Sequence, residues 1–227
     1  PKAIGTGDAV KCGLTQVEKE SKVLVLYGDV PLIQEGTLRK LIETSDDSLS
    51  ILTTVLDNPY GYGRVAKDDS GNALSIVEEK DATDVEREIN EIFTGVLCGP
   101  KSLLDEGLSI INNNNAAGEY YLTDLISIIN EKGYKIKTHE ASNNEVKGAN
   151  NKAELAELEA LYRDMKAQDL INNGVTVADP SRLDVRGDVQ AGNDCSIDVN
   201  VILEGNIILG DNVSIGANTI LKNATIG

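Results

Sequence analysis

Asp29 is the residue of this chain best placed to do chemistry. It closes the run Val23-Leu24-Val25-Leu26-Tyr27-Gly28-Asp29-Val30-Pro31-Leu32. Four consecutive apolar residues, two of them β-branched, predict a strand buried on both faces, the kind found in parallel sheets. In open α/β sheets, ligands bind beyond the carboxyl ends of the strands, so a carboxylate at that point faces a substrate or a metal ion. Pro31 cannot continue the ladder and fixes that edge. A turn aspartate after a strand would leave the same trace.

Other reactive side chains are sparse. His139 is the only histidine and lies in Lys135-Ile136-Lys137-Thr138-His139, where an exposed strand-end residue without a chemical role is expected. Cys12, Cys98 and Cys195 are widely spaced and odd in number, which predicts reduced thiols in a cytoplasmic protein. The net charge of −16 argues against nucleic acid or an anionic membrane as partner, because both would repel it. A phosphate-bearing substrate would need a cation or a local basic cluster to offset that field. No apolar run is long enough to span a membrane and no signal peptide is present, while 41% hydrophobic and 26% charged residues fit a soluble globular chain.

The elements that must position Asp29 follow from periodicity. Up to about residue 150, strand-like segments (22–28, 50–56, 73–77, 91–98 and 135–139) alternate with helix-like ones (4–20, 35–43, 100–111 and 123–132). Such alternation predicts an α/β domain with a mostly parallel sheet. Residues 151–174 change character. Leu155, Leu158, Leu161 or Tyr162, Met165 and Leu170 recur at helical spacing without Pro or Gly, and Asn173-Gly174 ends the run, so a connecting helix is expected.

From residue 175 to 227 a period of six appears. Ile197, Leu203, Leu209, Ile215 and Leu221 form one column, Asn200, Asn206, Asn212 and Asn218 a second, and Val201, Ile207, Val213 and Thr219 a third. Hexapeptide columns of this kind predict a parallel β-helix, with aliphatics facing inward and asparagines taking the left-handed conformation at the corners. Ile226 arrives one residue early.

Several motifs in order resemble the bacterial bifunctional GlmU family. They are Leu26-Tyr27-Gly28-Asp29-Val30-Pro31-Leu32, Gly61-Tyr62-Gly63-Arg64, Ile76-Val77-Glu78-Glu79-Lys80-Asp81-Ala82-Thr83-Asp84, Gly118-Glu119-Tyr120-Tyr121-Leu122-Thr123-Asp124, Gly148-Ala149-Asn150-Asn151 and Asp179-Pro180-Ser181-Arg182-Leu183-Asp184-Val185-Arg186-Gly187. The resemblance implies an α/β, Rossmann-like nucleotidyltransferase domain, a connecting helix and the first coils of a left-handed β-helix. It implies Mg²⁺-dependent transfer of UMP from UTP to N-acetylglucosamine 1-phosphate, giving UDP-N-acetylglucosamine and pyrophosphate. It further implies a homotrimer for the longer protein, with an acetyltransferase site on later coils. In this reading Gly5 and Thr6 contact the uracil end of the nucleotide. Tyr27, Gly28 and Asp29 hold ribose and sugar, Gly63 gives a backbone contact to the sugar, and Glu78 binds its hydroxyls. Tyr121 and Thr123 line the sugar pocket, and Asp29 and Asn150 ligate Mg²⁺.

Two departures from the family pattern stand out. The segment Glu91-Ile92-Phe93-Thr94-Gly95 carries Phe93 where the family has an asparagine that hydrogen-bonds substrate, so one polar contact is lost and sugar recognition is altered or activity impaired. The family's opening strand and Gly-rich nucleotide loop would precede Pro1, so the chain is expected to be an internal, N-terminally truncated piece that does not turn over UTP alone. Two other functions remain open: transfer to a different sugar 1-phosphate, and a non-catalytic β-helix assembly module.

Overall fold

The computed structural model describes residues 4–227, which fall into two units, one ending at Lys147 and one running from Gly148 to Gly227. In the first unit the elements are, in order, α1 (Thr6–Leu14), β1 (Lys22–Val25), α2 (Glu35–Thr44), β2 (Ser50–Val55), β3 (Arg64–Lys67), β4 (Ala73–Val77), α3 (Asp84–Arg87), β5 (Glu91–Pro100), α4 (Lys101–Leu108), α5 (Asp124–Glu131) and β6 (Lys137–Glu140). The strands form one sheet in the order β4-β3-β5-β2-β6, with β1 also paired to β5.

The sheet is mostly antiparallel, which corrects the parallel expectation. β5 runs antiparallel to β1, β2 and β3, and β3 antiparallel to β4; only β2 and β6 pair in parallel. The reason lies in the connections. A parallel crossover needs a dozen or more residues and usually a full helix. Between β3 and β4 there is only a tight turn, in which the Asp68 carboxylate accepts the N–H groups of Ser70 and Asn72 at 2.9 and 2.8 Å. Between β4 and β5 the helix α3 has four residues.

The central strand is β5, buried from Ile92 through Gly99. Successive residues of a strand face opposite sides, and the two sides have separate cores. Ile51 and Leu97 join Leu104 of α4 and Leu125 and Ile129 of α5 on one face. Leu52, Val96 and Cys98 meet Leu41 of α2 on the other. β1 departs from the expectation of a strand buried on both faces. Its residues Val23, Leu24 and Val25 are half-buried, and Leu26 beyond it is 47% exposed. β1 pairs along one edge only among the described residues, so its apolar run covers the side of the core rather than crossing its middle.

The second unit opens with α6 (Lys152–Asn172), capped by Asn151, whose side-chain oxygen accepts the N–H groups of Ala153 and Glu154 at 3.0 Å each. Gly174, with φ +90°, ends it. Then follow β7 (Thr176–Val177), β8 (Leu183–Ala191), β9 (Ser196–Ile197), β10 (Val201–Leu209), β11 (Ser214–Ile215), β12 (Ile220–Lys222) and β13 (Thr225–Ile226). Every ladder among them is parallel. From β8 to β12 chain positions 18 residues apart lie side by side, as in Val201 beside Leu183 and Ser214 beside Ser196, whereas β7 meets β9 at a displacement of 20, as in Thr176 beside Ser196. Ile197, Leu203, Leu209 and Ile215 are buried, as are Val201, Ile207 and Val213.

Asn200, Asn212 and Asn218 hold φ between 59 and 63°, the left-handed corner that asparagine tolerates. Asn206 does not. There Gly205 turns instead, at φ +73°, because the side-chain oxygen of Asn223 fills the space a Cβ would occupy and accepts the Asn206 N–H at 3.1 Å. The early arrival of Ile226 is absorbed at β13, where Ile226 pairs with Leu209, one residue short of the regular displacement.

Candidate functional site

The site of the first unit is assembled where β1 and β4 leave the sheet. Past β1 the chain turns through Tyr27, Gly28 and Asp29, and the Tyr27 ring lies against Gly95 in the middle of β5. A Cβ on Gly95 would stand 2.4 Å from a ring carbon, and its φ is +86°. Only glycine permits both that backbone and that close approach. Burial pushes the Tyr27 phenol above its usual range; the Thr6 hydroxyl opposes this, and the charges of Glu78 and Asp29 add to it. Thr6, Tyr27, Glu78 and Asp29 therefore act on one region.

Thr6 is fixed by the loop ahead of α5. Its hydroxyl oxygen accepts the Leu122 N–H at 3.1 Å. Tyr120 brackets the same contact, donating to the Ile4 carbonyl and accepting from the Gly7 N–H, both at 2.9 Å. A Cβ on Gly5, at φ +133°, would lie 2.3 Å from the Tyr120 oxygen. Gly5 is thus required by packing, whatever ligand it also meets.

At the end of β4, the Glu78 carboxylate accepts the Thr123 hydroxyl proton at 2.8 Å. Gly63 lies beside it, with its Cβ position 2.8 Å from an Ile76 methyl and 3.7 Å from the Glu78 carboxyl carbon. The Gly63 carbonyl accepts the Phe93 N–H at 2.9 Å, whereas the Gly63 N–H has no acceptor among the described residues. Burial raises the Tyr121 phenol, with further upward pressure from Asp81, Glu78 and Glu119. Burial, then Glu78 and Asp81, likewise raise the Asp124 carboxyl. The field here is strongly negative, which suits a cation or a neutral, hydroxyl-rich group and repels an unaccompanied phosphate.

Of the residues expected from sequence, Thr6, Tyr27, Gly63, Glu78, Tyr121 and Thr123 are brought together, and Asp29 enters through its charge. Gly28 is exposed, and a Cβ there would meet nothing within 4 Å, so packing gives no reason for glycine. Asn150 belongs to the second unit. Its backbone N–H and side-chain NH₂ both donate to Glu154, at 2.7 and 3.3 Å. Its amide oxygen has no protein partner among the described residues. No group of three or more His, Cys, Asp or Glu able to hold a metal occurs among the described residues. In the first unit the Asp29 carboxylate is a hard oxygen donor of the kind Mg²⁺ takes, since that ion keeps several waters and uses few protein ligands beside substrate phosphates.

Two residues were missed. Arg64, which the sequence places only as the last residue of the Gly61-Tyr62-Gly63-Arg64 motif, is 2% exposed and pairs with Glu79 at 2.6 Å. Nothing in the sequence separates Glu79 from Glu78; both follow the end of β4, and Glu79 already lies in the turn. Phe93 is 6% exposed and belongs to the core. His139 corrects its expectation: it is half-buried, and its Nε2 lies 2.7 Å from the Thr44 hydroxyl. The cysteines are free, Cys12 exposed and Cys98 and Cys195 buried. Among the described residues no helix is long and apolar enough to cross a membrane.

No protein-family model matches the chain. It is 49% identical over 224 residues to the bifunctional protein GlmU of Francisella philomiragia, covering 98% of this chain and 49% of that protein. Against the bifunctional protein GlmU of Methylococcus capsulatus it is 49% identical over 226 residues, covering 98% and 49%. Against that of Neisseria meningitidis serogroup B it is 47% identical over 225 residues, covering 99% and 49%. The chain spans about half the length of the curated relatives it matches. In fold it is similar to a Bacillus anthracis protein assigned as a glucose-1-phosphate thymidylyltransferase, with TM-score 0.54, 16% identity and coverage of 72% of this chain and 63% of that one. A nucleoside-diphosphate-sugar pyrophosphorylase of Vibrio cholerae gives TM-score 0.52, 14% identity and coverage of 70% and 66%.

Proposed function

We propose that this chain, a homologue of the bifunctional GlmU proteins along half their length, carries the sugar-phosphate side of a nucleotidyltransferase centre. The reaction is transfer of UMP from UTP to N-acetylglucosamine 1-phosphate. One observation supports this above the others: the Glu78 carboxylate stands at the end of β4 beside Gly63 and is already oriented by the Thr123 hydroxyl, and its charge reaches the Tyr27 phenol. That arrangement offers an oriented acceptor in Glu78, a free donor in the Gly63 N–H and two phenols, which is what a sugar ring with several hydroxyls needs.

No protein nucleophile is required. An oxygen of the sugar phosphate attacks the α-phosphorus of UTP in line, the bond from that phosphorus to the bridging oxygen breaks, and pyrophosphate leaves with the electron pair. Positioning and electrostatics carry such transfers. Asp29 would give Mg²⁺ a carboxylate oxygen, and the ion would supply the positive charge that the phosphates need in this acidic chain. The second unit is read as the opening coils of a left-handed β-helix, supported by its parallel ladders and left-handed asparagines. Trimer assembly and acetyl transfer would belong to the longer protein.

Phe93 favours a second reading, transfer to another sugar 1-phosphate, because its buried side chain offers no hydrogen bond to an acetamido group. Calorimetric titration with UDP-N-acetylglucosamine, UDP-glucose and UDP, each with and without Mg²⁺, tests both. The first reading expects tightest binding of UDP-N-acetylglucosamine, lost in Glu78→Ala. Preference for UDP-glucose would move the assignment to the second, and binding indifferent to Glu78 would overturn both.

A further inference from the structure

We infer that Arg64 and Glu79 are positioning residues that set the Gly61–Gly63 turn so that the free Gly63 N–H and the Glu78 carboxylate address one sugar together. This rests on the uridylyltransferase reading above. The Arg64 side chain is 3% exposed and uses its fork twice. One terminal nitrogen donates to the Tyr62 carbonyl, and the other to Glu79 Oε2 at 2.6 Å. The same Oε2 accepts the Gly61 N–H at 3.3 Å. Carboxylate and guanidinium thus grip the Tyr60–Gly61 and Tyr62–Gly63 peptide units in turn, and the second of these carries the Gly63 N–H.

The clamp is itself braced. Thr83 and Glu86 form a reciprocal capping box that fixes the short α3, and from it Arg87 reaches Glu79 Oε1 with its Nε at 3.5 Å. A buried guanidinium whose Nε has no hydrogen-bond partner is a costly way to hold a turn. Glu78 and Glu79, just past the end of β4, divide the work, the first facing Thr123 and the second facing Arg64. Arginine is needed because a lysine ammonium cannot reach a carbonyl and a carboxylate in one planar fork.

Glu79→Gln tests this in the chain as it stands, since it keeps the shape and removes the charge; Arg64→Lys is the second variant. Amide exchange at Gly61 is expected to quicken about tenfold or more, the loss of a charge-assisted hydrogen bond. Affinity for UDP-N-acetylglucosamine is expected to fall by a similar factor while affinity for UDP stays unchanged. Unchanged exchange, or equal losses for both ligands, overturns the clamp. Exchange that quickens in a protein whose wild type binds no UDP-N-acetylglucosamine would leave the clamp standing as architecture and overturn the functional reading and the sugar-positioning role with it.

Discussion

The Thr123 hydroxyl donates to the Glu78 carboxylate at 2.8 Å, tying the start of α5 to the end of β4. Thr123 occupies the N-cap of α5 yet makes no capping bond to its own helix. An N-cap threonine ordinarily accepts a helix amide, an interaction worth about 0.5–2 kcal/mol. Here the side chain instead orients a carboxylate, although it is 6% exposed.

Thr123→Val therefore separates binding from stability. No cap bond is lost, so the thermal midpoint should move little. Glu78 loses its orienting donor, and affinity for UDP-N-acetylglucosamine should drop on the order of tenfold, as for a hydrogen bond to a charged group. Thr123→Ser should bind like the wild type. Calorimetry on the three proteins checks this, and a valine variant of normal affinity would remove Thr123 from the site.

Gly95→Ala should be harmful for two reasons that share one cause. The backbone there is left-handed, and the Cβ would stand 2.4 Å from the Tyr27 ring. Replacement of glycine in such a conformation costs more than about 1 kcal/mol before any clash. The urea midpoint should fall, and the Tyr27 phenol, driven out of its burial, should titrate closer to its ordinary value. Spectrophotometric titration against a Tyr27→Phe control reads the second effect; an unshifted phenol would mean that the ring does not depend on Gly95.

What could be read from the sequence was what is local. The helix spanning Lys152–Asn172, the strand Ala73–Val77 and the buried aliphatics at Leu203, Leu209 and Ile215 each follow from spacing within a few turns or coils. Strand direction was hidden, because it depends on how β5 meets three partners far away in sequence. β3 was missed because Arg64 and Lys67 at its ends look solvated. Their charges are met by Glu79 and Glu91, the latter at 2.5 Å and 24 positions away in sequence. Within the site, motif order pointed to Glu78, Gly63 and Thr123. The role of Glu79 depends on partners that no local pattern announces.

His139 makes a pH prediction. Burial first, then the charges of Lys137 and Lys40, hold its imidazole below the ordinary range. The folded state thus binds a proton less readily than the unfolded state, whose value is about 6.5. Its contribution is complete above that value and is lost as pH falls toward the folded one. Urea titrations between about pH 7.5 and 5.5 should show stability falling more steeply in the wild type than in His139→Gln. Parallel slopes would assign the acid sensitivity to other groups.

Two corners of the second unit share a backbone and differ in what their side chains do. Asn200 and Asn212 have φ of 59 and 60°. The Asn200 oxygen accepts the Arg182 Nε–H at 3.0 Å, and its NH₂ donates to Asn218 at 2.9 Å, lacing adjacent coils. The exposed Asn212 side chain makes no such bond among the described residues. Glycine relieves the conformational demand at either corner, so Asn212→Gly should leave stability nearly unchanged. Asn200→Gly gives up two side-chain bonds worth about 0.5–1.5 kcal/mol each at most, and exposure places the loss at the low end. Valine at either corner must pay for the left-handed backbone as well, roughly 1–2 kcal/mol. The expected stability order is Asn212→Gly, Asn200→Gly, Asn212→Val and Asn200→Val, from most to least stable, read as denaturant midpoints. If the two glycine variants had equal midpoints, the Arg182–Asn200–Asn218 ladder would contribute nothing beyond the turn itself.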